Sequence, residues 1–334
     1  MKCVVKAAVC LFFLLSFSIL AAAQKAKASE IIPPASYQEP HLERSAALQA
    51  FLNSAVGEVL SSYPSGSFPE KDIAATLIDL RDPKSLAWAD FRGEQQIYPA
   101  SVVKMFYMAS LERQLEDGKV KLTKEVDRGL KDMIVDSSNE ATQYILDVIT
   151  DTSSGAELPA SAFAKWQYKR NRVNRFFTAM GYTNINANQK TFCEDAYGIE
   201  QQSRNYKGEN RNMLTTNAVA RLLAEIALGR MNTPERTRTM MDLMHRDPFA
   251  QTTDQDDQAH GFTGRLLIDR KMTDAKLWSK AGWTTKSRHD AAYVETADGL
   301  KFVLVIFTEN HGTDKAPIPT IAGKVIDALR KLPR

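Results

Sequence analysis

The sequence predicts an α+β fold, an α/β sandwich in which an antiparallel sheet from the N- and C-terminal segments is flanked by helices and carries an inserted all-helical lobe. Two observations predict it. Strand-like runs lie near both ends of the chain, at 73–80 and 86–91 and again at 277–283, 291–296 and 302–308. Between 101 and 243, apolar residues recur at helical spacing. Strands at both ends with helices between them favour an antiparallel sheet and a separate helical lobe.

The composition is that of a globular protein. The chain has 334 residues, of which 44% are hydrophobic and 25% are charged. These values are close to the average for globular domains and exclude collagen, coiled coil and disordered chains. The 43 Lys and Arg residues against 40 Asp and Glu residues give a net charge of +3. Because no basic cluster accompanies this small charge, a nucleic-acid partner is not expected.

Residues 1–23 are typical of a secretory signal peptide. Lys2 and Lys6 precede an apolar run that ends in small residues at 21–23. Cleavage after Ala23 or after Ala28 fits this pattern, and the run is at the short limit for an uncleaved membrane anchor. We therefore expect a periplasmic or secreted protein with no stable membrane span once the signal is cleaved.

The mature chain is expected to begin with a loose leader. Residues 24–40 contain three prolines. Signal cleavage also removes Cys3 and Cys10, so Cys193 remains as a single thiol. One thiol cannot form an internal disulfide, and the hydrophobic core must stabilise the fold.

The domain is expected to span residues 41–332. Its α/β part comprises 41–100 and 275–332, and its helical lobe comprises 101–274. Apolar periodicity predicts helices at 41–63, 102–115, 130–149, 173–180, 218–228, 236–244 and 320–332, with a polar insertion at 183–212. Hairpin turns are predicted at 82–84 and at 298–299, the second from its Asp-Gly pair.

A candidate nucleophile lies at the start of the lobe. Ser101 follows Pro99, and Lys104 comes three residues later in an apolar setting. Side chains three apart on a helix are neighbours, so Lys104 is placed to accept the Ser101 proton if burial keeps its amine neutral. The spacing also fits a capping serine with a solvated lysine, and the motif alone does not decide between them.

Two further motifs follow in order. The segment Asp136-Ser137-Ser138-Asn139 carries Ser-x-Asn between helical stretches, and Lys280-Ala281-Gly282 carries Lys-x-Gly on a strand. With Ser101 and Lys104, they make residues 41–332 resemble the serine β-lactamase and penicillin-binding-protein superfamily, most closely its class A β-lactamase-like branch. The signature of that superfamily is Ser-x-x-Lys, Ser-Asp-Asn and Lys-Thr-Gly. The resemblance implies a β-lactamase/transpeptidase-like fold.

The resemblance implies roles in acylation for four residues. Ser101 would be the acylated nucleophile, and Lys104 its general base or proton relay. Ser137 would pass a proton to the leaving amine. The backbone N–H groups of Ser101 and Trp283 would bind the oxyanion.

The resemblance also implies roles in substrate binding. Asn139 would bind the amide side chain of the substrate and hold Lys104, although a helix cap is an alternative. Lys280 would attract the substrate carboxylate, and Gly282 would let the strand approach the ligand. Arg288 would bind the carboxylate from the next strand, or it is a solvated strand end.

The sequence departs from the family pattern at several positions. Ser138 replaces the aspartate of the second motif, Ala281 replaces the threonine of the third, and Trp283 is bulky where a small residue is usual. The glutamate loop that supplies the deacylating base in class A enzymes is absent. Glu200 and Glu194 are the candidates for that base, in a connection at 151–212 that is longer than usual for the family.

These observations predict an enzyme that hydrolyses a β-lactam amide through an acyl-serine. A cell-wall D,D-peptidase or esterase and a degenerate β-lactamase-like binding protein are the alternatives. We expect a β-lactam or cell-wall peptide as substrate, no cofactor and a monomer. Metal catalysis is not expected, because the five histidines show no ligand spacing. A Ser/His/Asp triad is not expected either, because the adjacent His289 and Asp290 would point to opposite faces of a strand.

Overall fold

One mixed sheet of seven strands organises the described part of the chain. The computed structural model describes residues 30–192 and 195–332, so the predicted signal peptide, Cys193 and Glu194 lie outside it. The strands are β1 (Leu42–Arg44), β2 (Ile73–Asp79), β3 (Leu86–Phe91), β4 (His245–Arg246), β5 (Lys276–Trp283), β6 (Ser287–Glu295) and β7 (Lys301–Glu309). Their order in the sheet is β1-β3-β2-β7-β6-β5-β4.

The strand pairs confirm the predicted sheet from the two ends of the chain. Antiparallel pairs join β2 to β3 and β7, β6 to β5 and β7, and β4 to β5. Both predicted hairpins are present. The sheet differs from the prediction at its edges, because β1 is parallel to β3 and β4 comes from the middle of the chain.

Eleven α-helices accompany the sheet in the described ranges. They are α1 (Ala46–Ser61), α2 (Lys104–Glu116), α3 (Lys124–Ile134), α4 (Asn139–Thr150), α5 (Ala160–Arg170), α6 (Arg172–Ala179), α7 (Ile199–Arg204), α8 (Thr216–Ala227), α9 (Pro234–Met244), α10 (Phe262–Asp269) and α11 (Pro317–Leu329). Within these ranges, no helix combines the length and the apolar character needed to cross a membrane.

Helices cover both faces of the sheet. On one face, α1, α10 and α11 bury an apolar cluster that includes Leu52, Leu266 and Ile326. On the other face, α8 lies against the sheet and continues into the core of the helical lobe around Phe106 of α2. Because both faces are covered, β2 is buried along its whole length, in keeping with a sequence that is apolar except for Thr76 and Asp79.

Two predicted helices differ in extent. The helix predicted at 41–63 begins at Ala46, because the hydroxyl of Ser45 caps it by accepting a 3.3 Å hydrogen bond from the Leu48 N–H. The pattern at 130–149 is interrupted, since α3 ends at Ile134 and α4 begins at Asn139.

Three helices were not predicted, namely α5, α7 and α10. The first two lie in the connection at 151–212, and α7 lies inside the predicted polar insertion. The third, α10, packs against α11 and β6. The lobe boundary proposed at 274 therefore separates α10 from the elements that it contacts.

The expectation of a loose leader is wrong for residues 30–40. Ile31 is buried in the core of the lobe. The Tyr37 hydroxyl donates a 2.8 Å hydrogen bond to Glu225, and Arg221 donates a 2.6 Å hydrogen bond to Glu39. Arg221 and Glu225 of α8 form a buried ion pair, and buried charged groups require hydrogen-bond partners. Tyr37 and Glu39 supply such partners and so hold this segment against α8.

Candidate active site

Ser101 lies in a tight 3-10 turn that leads into α2. The turn spans Ala100–Val103, and side chains three apart eclipse each other in such a turn. Ser101 and Lys104 are therefore stacked on one side of the backbone. Ala100 has a φ of +46°, a left-handed conformation that is costly for a residue with a side chain. Contacts from the sheet hold this strained turn in place.

Gly282 of β5 provides the closest of these contacts. A Cβ atom at position 282 would lie 2.7 Å from the Ser101 nitrogen and 2.9 Å from the Pro99 oxygen. Both atoms belong to the backbone and cannot rotate away. The glycine predicted to admit a ligand therefore admits the Ser101 turn itself, which lies directly against β5.

His289 of β6 fixes the same turn from a second direction. Its Nδ1 accepts a 3.2 Å hydrogen bond from the Thr308 N–H, so Nε2 carries the proton and donates to the Tyr98 carbonyl at 2.9 Å. Burial lowers the pKa of His289 to about 4 and keeps the ring neutral. Asp290 accepts from the Thr263 N–H instead, so His289 and Asp290 form no triad with Ser101.

Lys104 is completely buried beneath the turn. Its Nζ donates to the Ser137 carbonyl at 2.5 Å and to Asn139 Oδ1 at 3.0 Å, and it lies 3.2 Å from Ser137 Oγ. Ser137 reaches it because its backbone has a φ of +57° in the loop between α3 and α4. The neighbouring Ser138 caps α4 by accepting from the Ala141 N–H.

Lys280 approaches Ser137 from the opposite side. It is buried, and its Nζ lies 2.9 Å from Ser137 Oγ, 2.5 Å from Gln258 Oε1 and 2.8 Å from the Ala281 carbonyl. Burial lowers the pKa of Lys280 well below its usual value, and the nearby charge of Lys104 lowers it further.

The hydrogen bonds around Lys104 and Lys280 can all be made when one of the two amines is neutral and the other is an ammonium. Each amine contacts two carbonyl-type oxygens and the Ser137 hydroxyl. A neutral amine donates to the two oxygens and accepts the Ser137 proton, whereas an ammonium donates to all three. Lys104, Ser137 and Lys280 therefore form a chain that can take up and return one proton.

Two residues that the sequence analysis missed support this chain. Gln258 accepts from Lys280 and donates to the Val135 carbonyl at 2.9 Å, and Arg246 donates to the Ile134 carbonyl at 3.0 Å. Both hold the end of α3 and thus the Ser137 loop. No sequence signal marks them, because the Ile134 and Val135 carbonyls that they hold lie more than 100 positions away along the chain.

Positive charge collects at this end of the sheet. The carboxylate of Asp290 acts on both Lys280 and Arg246, but burial raises its pKa and so opposes its negative charge. Burial lowers the pKa of Arg246 to about 10, so its guanidinium remains charged at neutral pH. Arg288, predicted to bind a carboxylate, is instead buried against Asp256 and lies 3.9 Å over the Phe262 ring. Arg246 is therefore better placed than Arg288 to attract an anionic group.

Trp283 borders the cleft at the end of β5. Its side chain is partly exposed, and its ring lies 5.6 Å from the Phe262 ring. It lines a cavity of about 560 Å³ together with Val135, Arg246 and Gln258.

The Trp283 N–H points out of the β5–β6 ladder. Thr284 N donates to the Ser287 carbonyl, so the next pair, Trp283 with Arg288, is a non-hydrogen-bonded pair. Ala281, two residues earlier, confirms the alternation, because its N–H donates to Gln258 outside the ladder.

Glu200 does not lie with these residues, and its prediction as the deacylating base is wrong. Its carboxylate is buried and receives hydrogen bonds from Arg170 at 2.7 and 2.9 Å and from Ser154 at 2.9 Å, with Lys190 at 3.3 Å. Burial opposes its ionisation, but Arg170 and Lys190 outweigh burial and lower its pKa. Because the lowered pKa makes this carboxylate a weaker base and its oxygens are engaged by Arg170, Ser154 and Lys190, it is poorly suited to activate a water molecule.

The partners of Glu200 also place it away from the Ser137 loop. Arg170 and Lys190 also bind Asp147, eight residues after Asn139. At about 1.5 Å per residue, this is about 12 Å along the helix. The residues just before Glu194, the other candidate, pass nearer to Asn139. Gln143 of α4 lies only four residues after Asn139, and it donates to the Thr191 carbonyl at 3.3 Å. Glu194 itself lies outside the described residues.

The sheet with its helical lobe, and the Ser101 turn seated between β5 and the Ser137 loop, define the class of protein. The fold is that of the β-lactamase/transpeptidase-like serine hydrolases. The sequence profile of the Beta-lactamase enzyme family matches residues 66–329, and the chain belongs to that family.

Solved structures show the same fold at low sequence identity. A β-lactamase from Sphaerobacter thermophilus DSM 20745 aligns with a TM-score of 0.60 and 17% identity over 85% of this chain and 99% of its own. The structure named PBP-A aligns at 0.59 and 17% over 88% and 100%. A class A β-lactamase representative from Bacteroides cellulosilyticus DSM 14838 aligns at 0.59 and 14% over 86% and 100%. No curated protein sequence matches the chain.

Proposed function

We propose that this protein is an exported serine hydrolase that opens a β-lactam amide by acylating Ser101. The observation that carries the proposal is the chain Lys104, Ser137, Lys280, in which two buried amines contact one half-buried hydroxyl, so that one of the two amines can be neutral. A neutral amine beneath Ser101 is the base that a serine hydroxyl needs.

Acylation then proceeds in three proton transfers. The Ser101 oxygen attacks the lactam carbonyl carbon, and its proton moves to the neutral amine. The N–H groups of Ser101 and Trp283 bind the oxyanion, and the first turn of a helix leaves such donors without intrahelical acceptors. The C–N bond breaks as Ser137 donates its proton to the leaving nitrogen, and the lysine pair returns a proton to Ser137. Water then hydrolyses the ester.

The electrostatics support an anionic substrate. Arg246 presents positive charge beside the cleft, and Asn139 lies at the start of α4, two residues after Ser137. A penicillin carries one carboxylate, and its amide side chain would lie near Asn139. Among the described residues, no set of His, Cys, Asp and Glu side chains forms a candidate metal site.

A D,D-peptidase-type enzyme is the second candidate, favoured by the engagement of Glu200 in its ion pairs. Without a base for water, an acyl-serine would persist or pass to another acceptor. Time-resolved intact mass measurement with benzylpenicillin separates the candidates. A transient adduct with drug turnover supports the β-lactamase, and a lasting adduct together with D-alanine release from an acyl-D-Ala-D-Ala peptide supports the peptidase. The absence of any adduct would contradict both.

Export is part of the proposal and rests on residues 1–23. N-terminal sequencing of the protein recovered from the producing cells tests it directly. A mature terminus at residue 24 or 29 supports export, and an intact Met1 contradicts it.

A further inference from the structure

A second concave site lies in the helical lobe, away from Ser101. A cavity of about 610 Å³ opens between α5, α6 and the loops at 186–188 and 206–210. Its lining includes six side-chain amides: Gln167, Asn171, Asn174, Asn186, Asn188 and Asn210. Residues of the connection at 151–212, which is longer than usual for the family, build this cavity.

The amides hold one another in fixed orientations. Asn171 Oδ1 accepts from Asn174 Nδ2 at 2.7 Å and from Asn188 Nδ2 at 3.0 Å. Asn186 donates to Asn210 Oδ1 at 2.8 Å and receives a 2.6 Å hydrogen bond from Asn174. Because each orientation is determined by its neighbours, the floor of the cavity is pre-organised before any ligand arrives.

Asn171 retains one donor for a ligand. Its Oδ1 is occupied, but among the described residues its Nδ2 has no hydrogen-bond partner, and it is not one of the buried unsatisfied atoms. The Nδ2 group therefore meets the solvent that fills the cavity, where a ligand oxygen can replace water.

Two tyrosines supply flat apolar surface beside the amides. Tyr168 is 54% exposed and Tyr206 is 38% exposed, and both line the cavity. The Arg175 guanidinium stacks 3.8 Å over the Tyr168 ring, and Phe163 meets the Tyr206 ring edge at 5.7 Å. These contacts restrict the rings, so that stacking a ligand on them costs little side-chain entropy.

The charges around the rim are largely compensated. Arg175 is bound by both carboxylate oxygens of Glu30 at 2.8 and 3.0 Å. Glu209 pairs with Arg211 at 3.3 Å, and Lys207 lies 5.4 Å over the Tyr206 ring. The cavity therefore offers neutral donors, neutral acceptors and aromatic faces rather than a strong field of one sign.

We propose that this cavity binds a neutral oligosaccharide. A sugar ring presents hydroxyl groups at its edge, which both donate and accept as amides do, and C–H groups on its faces, which pack on aromatic rings. Few other ligands combine these two surfaces without a charge. The inference does not depend on the chemistry at Ser101, because no residue of the cavity belongs to the Lys104, Ser137, Lys280 chain.

Binding is tested on the full mature chain with two uncharged probes, chitotetraose and cellotetraose, by saturation-transfer NMR and calorimetry at millimolar concentrations. We expect at least one probe to bind, and the pair distinguishes an acetamido sugar from a plain hexose. Tyr168→Ala is expected to weaken binding about five- to tenfold by removing a stacking face. Asn171→Asp keeps the accepting oxygen but replaces the donor with a charged acceptor, and a loss of about tenfold is expected.

Tyr197→Ala is the matched control, because Tyr197 is 75% exposed and does not line the cavity. It should bind like the wild type. Thermal melting of each variant establishes that it is folded. The proposal is overturned if neither probe binds, if both cavity variants bind like the wild type, or if only a polyanionic glycan such as heparin binds.

Discussion

The contact between Gly282 and the Ser101 turn leads to a quantitative prediction for Gly282→Ala. The added methyl group would lie 2.7 Å from the Ser101 nitrogen, so the turn must recede by about 0.7 Å to regain an ordinary 3.4 Å contact. Over-packing of this kind costs about 1–3 kcal/mol of stability. A displacement near 1 Å at a reacting group costs about 100-fold in rate. We therefore expect the acylation rate to fall by about 30- to 100-fold.

Single-turnover acylation by a fluorescent penicillin measures this rate, with denaturant unfolding on the same samples. Gly57→Ala in α1 is the matched control, because a Cβ there meets no atom within 4 Å. It should acylate normally and gain about 0.5–1 kcal/mol in stability, as expected for alanine in place of a helical glycine. Acylation of Gly282→Ala at the wild-type rate would refute the inferred seating of the turn on β5.

Three further predictions concern residues around the site. The pKa of His289 is about 4 in the folded protein and near 6.5 in the unfolded chain, so its contribution to stability is complete above pH 6.5 and is lost as the pH falls towards about 4. The variant His289→Phe cannot titrate at this position. In denaturant melts at a series of pH values, it should therefore lose up to about 3 kcal/mol of the pH dependence of the free energy of unfolding. Glu200→Gln breaks the pair with Arg170 and should cost about 3–5 kcal/mol while leaving the lifetime of the acyl-enzyme unchanged, and a trapped adduct in mass spectra would reinstate Glu200 as the base. Gln258→Glu places a carboxylate beside Lys280, so the pH profile of acylation should move upwards by about 1–3 units, and an unmoved profile would exclude Lys280 from the proton chain.

The sequence identified the parts of the site that depend on local spacing. Ser101 and Lys104 are three residues apart, and a single turn brings them together whatever the rest of the fold does. The hairpins could be predicted for the same reason, because the turn residues and the strands that they join are adjacent in the sequence. Ser137 and Lys280 were found only through their resemblance to a known motif order.

The parts that the sequence missed depend on register between distant elements. His289 meets the Tyr98 carbonyl 191 positions away, and Gln258 meets Val135 at a separation of 123. Glu200 was misplaced because a distance along a loop carries no information about direction. The buried Arg170, on a helix that was not predicted, draws its carboxylate into the lobe.

Residues 30–40, the described part of the predicted leader, also depend on contacts that their own sequence does not reveal. Its prolines suggested a chain without fixed partners, but Tyr37 and Glu39 complete the environment of a charged pair on α8. The buried charges that require these hydrogen bonds lie on α8, far along the sequence. The composition of the leader therefore gives no indication of them.

Acylation of the Ser101 oxygen is the central step of the proposed reaction and can be observed directly. The protein is treated with benzylpenicillin, quenched in acid at early times and digested, and the modified peptide is sequenced by tandem mass spectrometry. We predict one penicilloyl group on the Ser101 oxygen, absent from Ser101→Ala, whose melting temperature should be nearly unchanged. A penicilloyl group on any other side chain, or on the Ser101→Ala variant, would contradict the account.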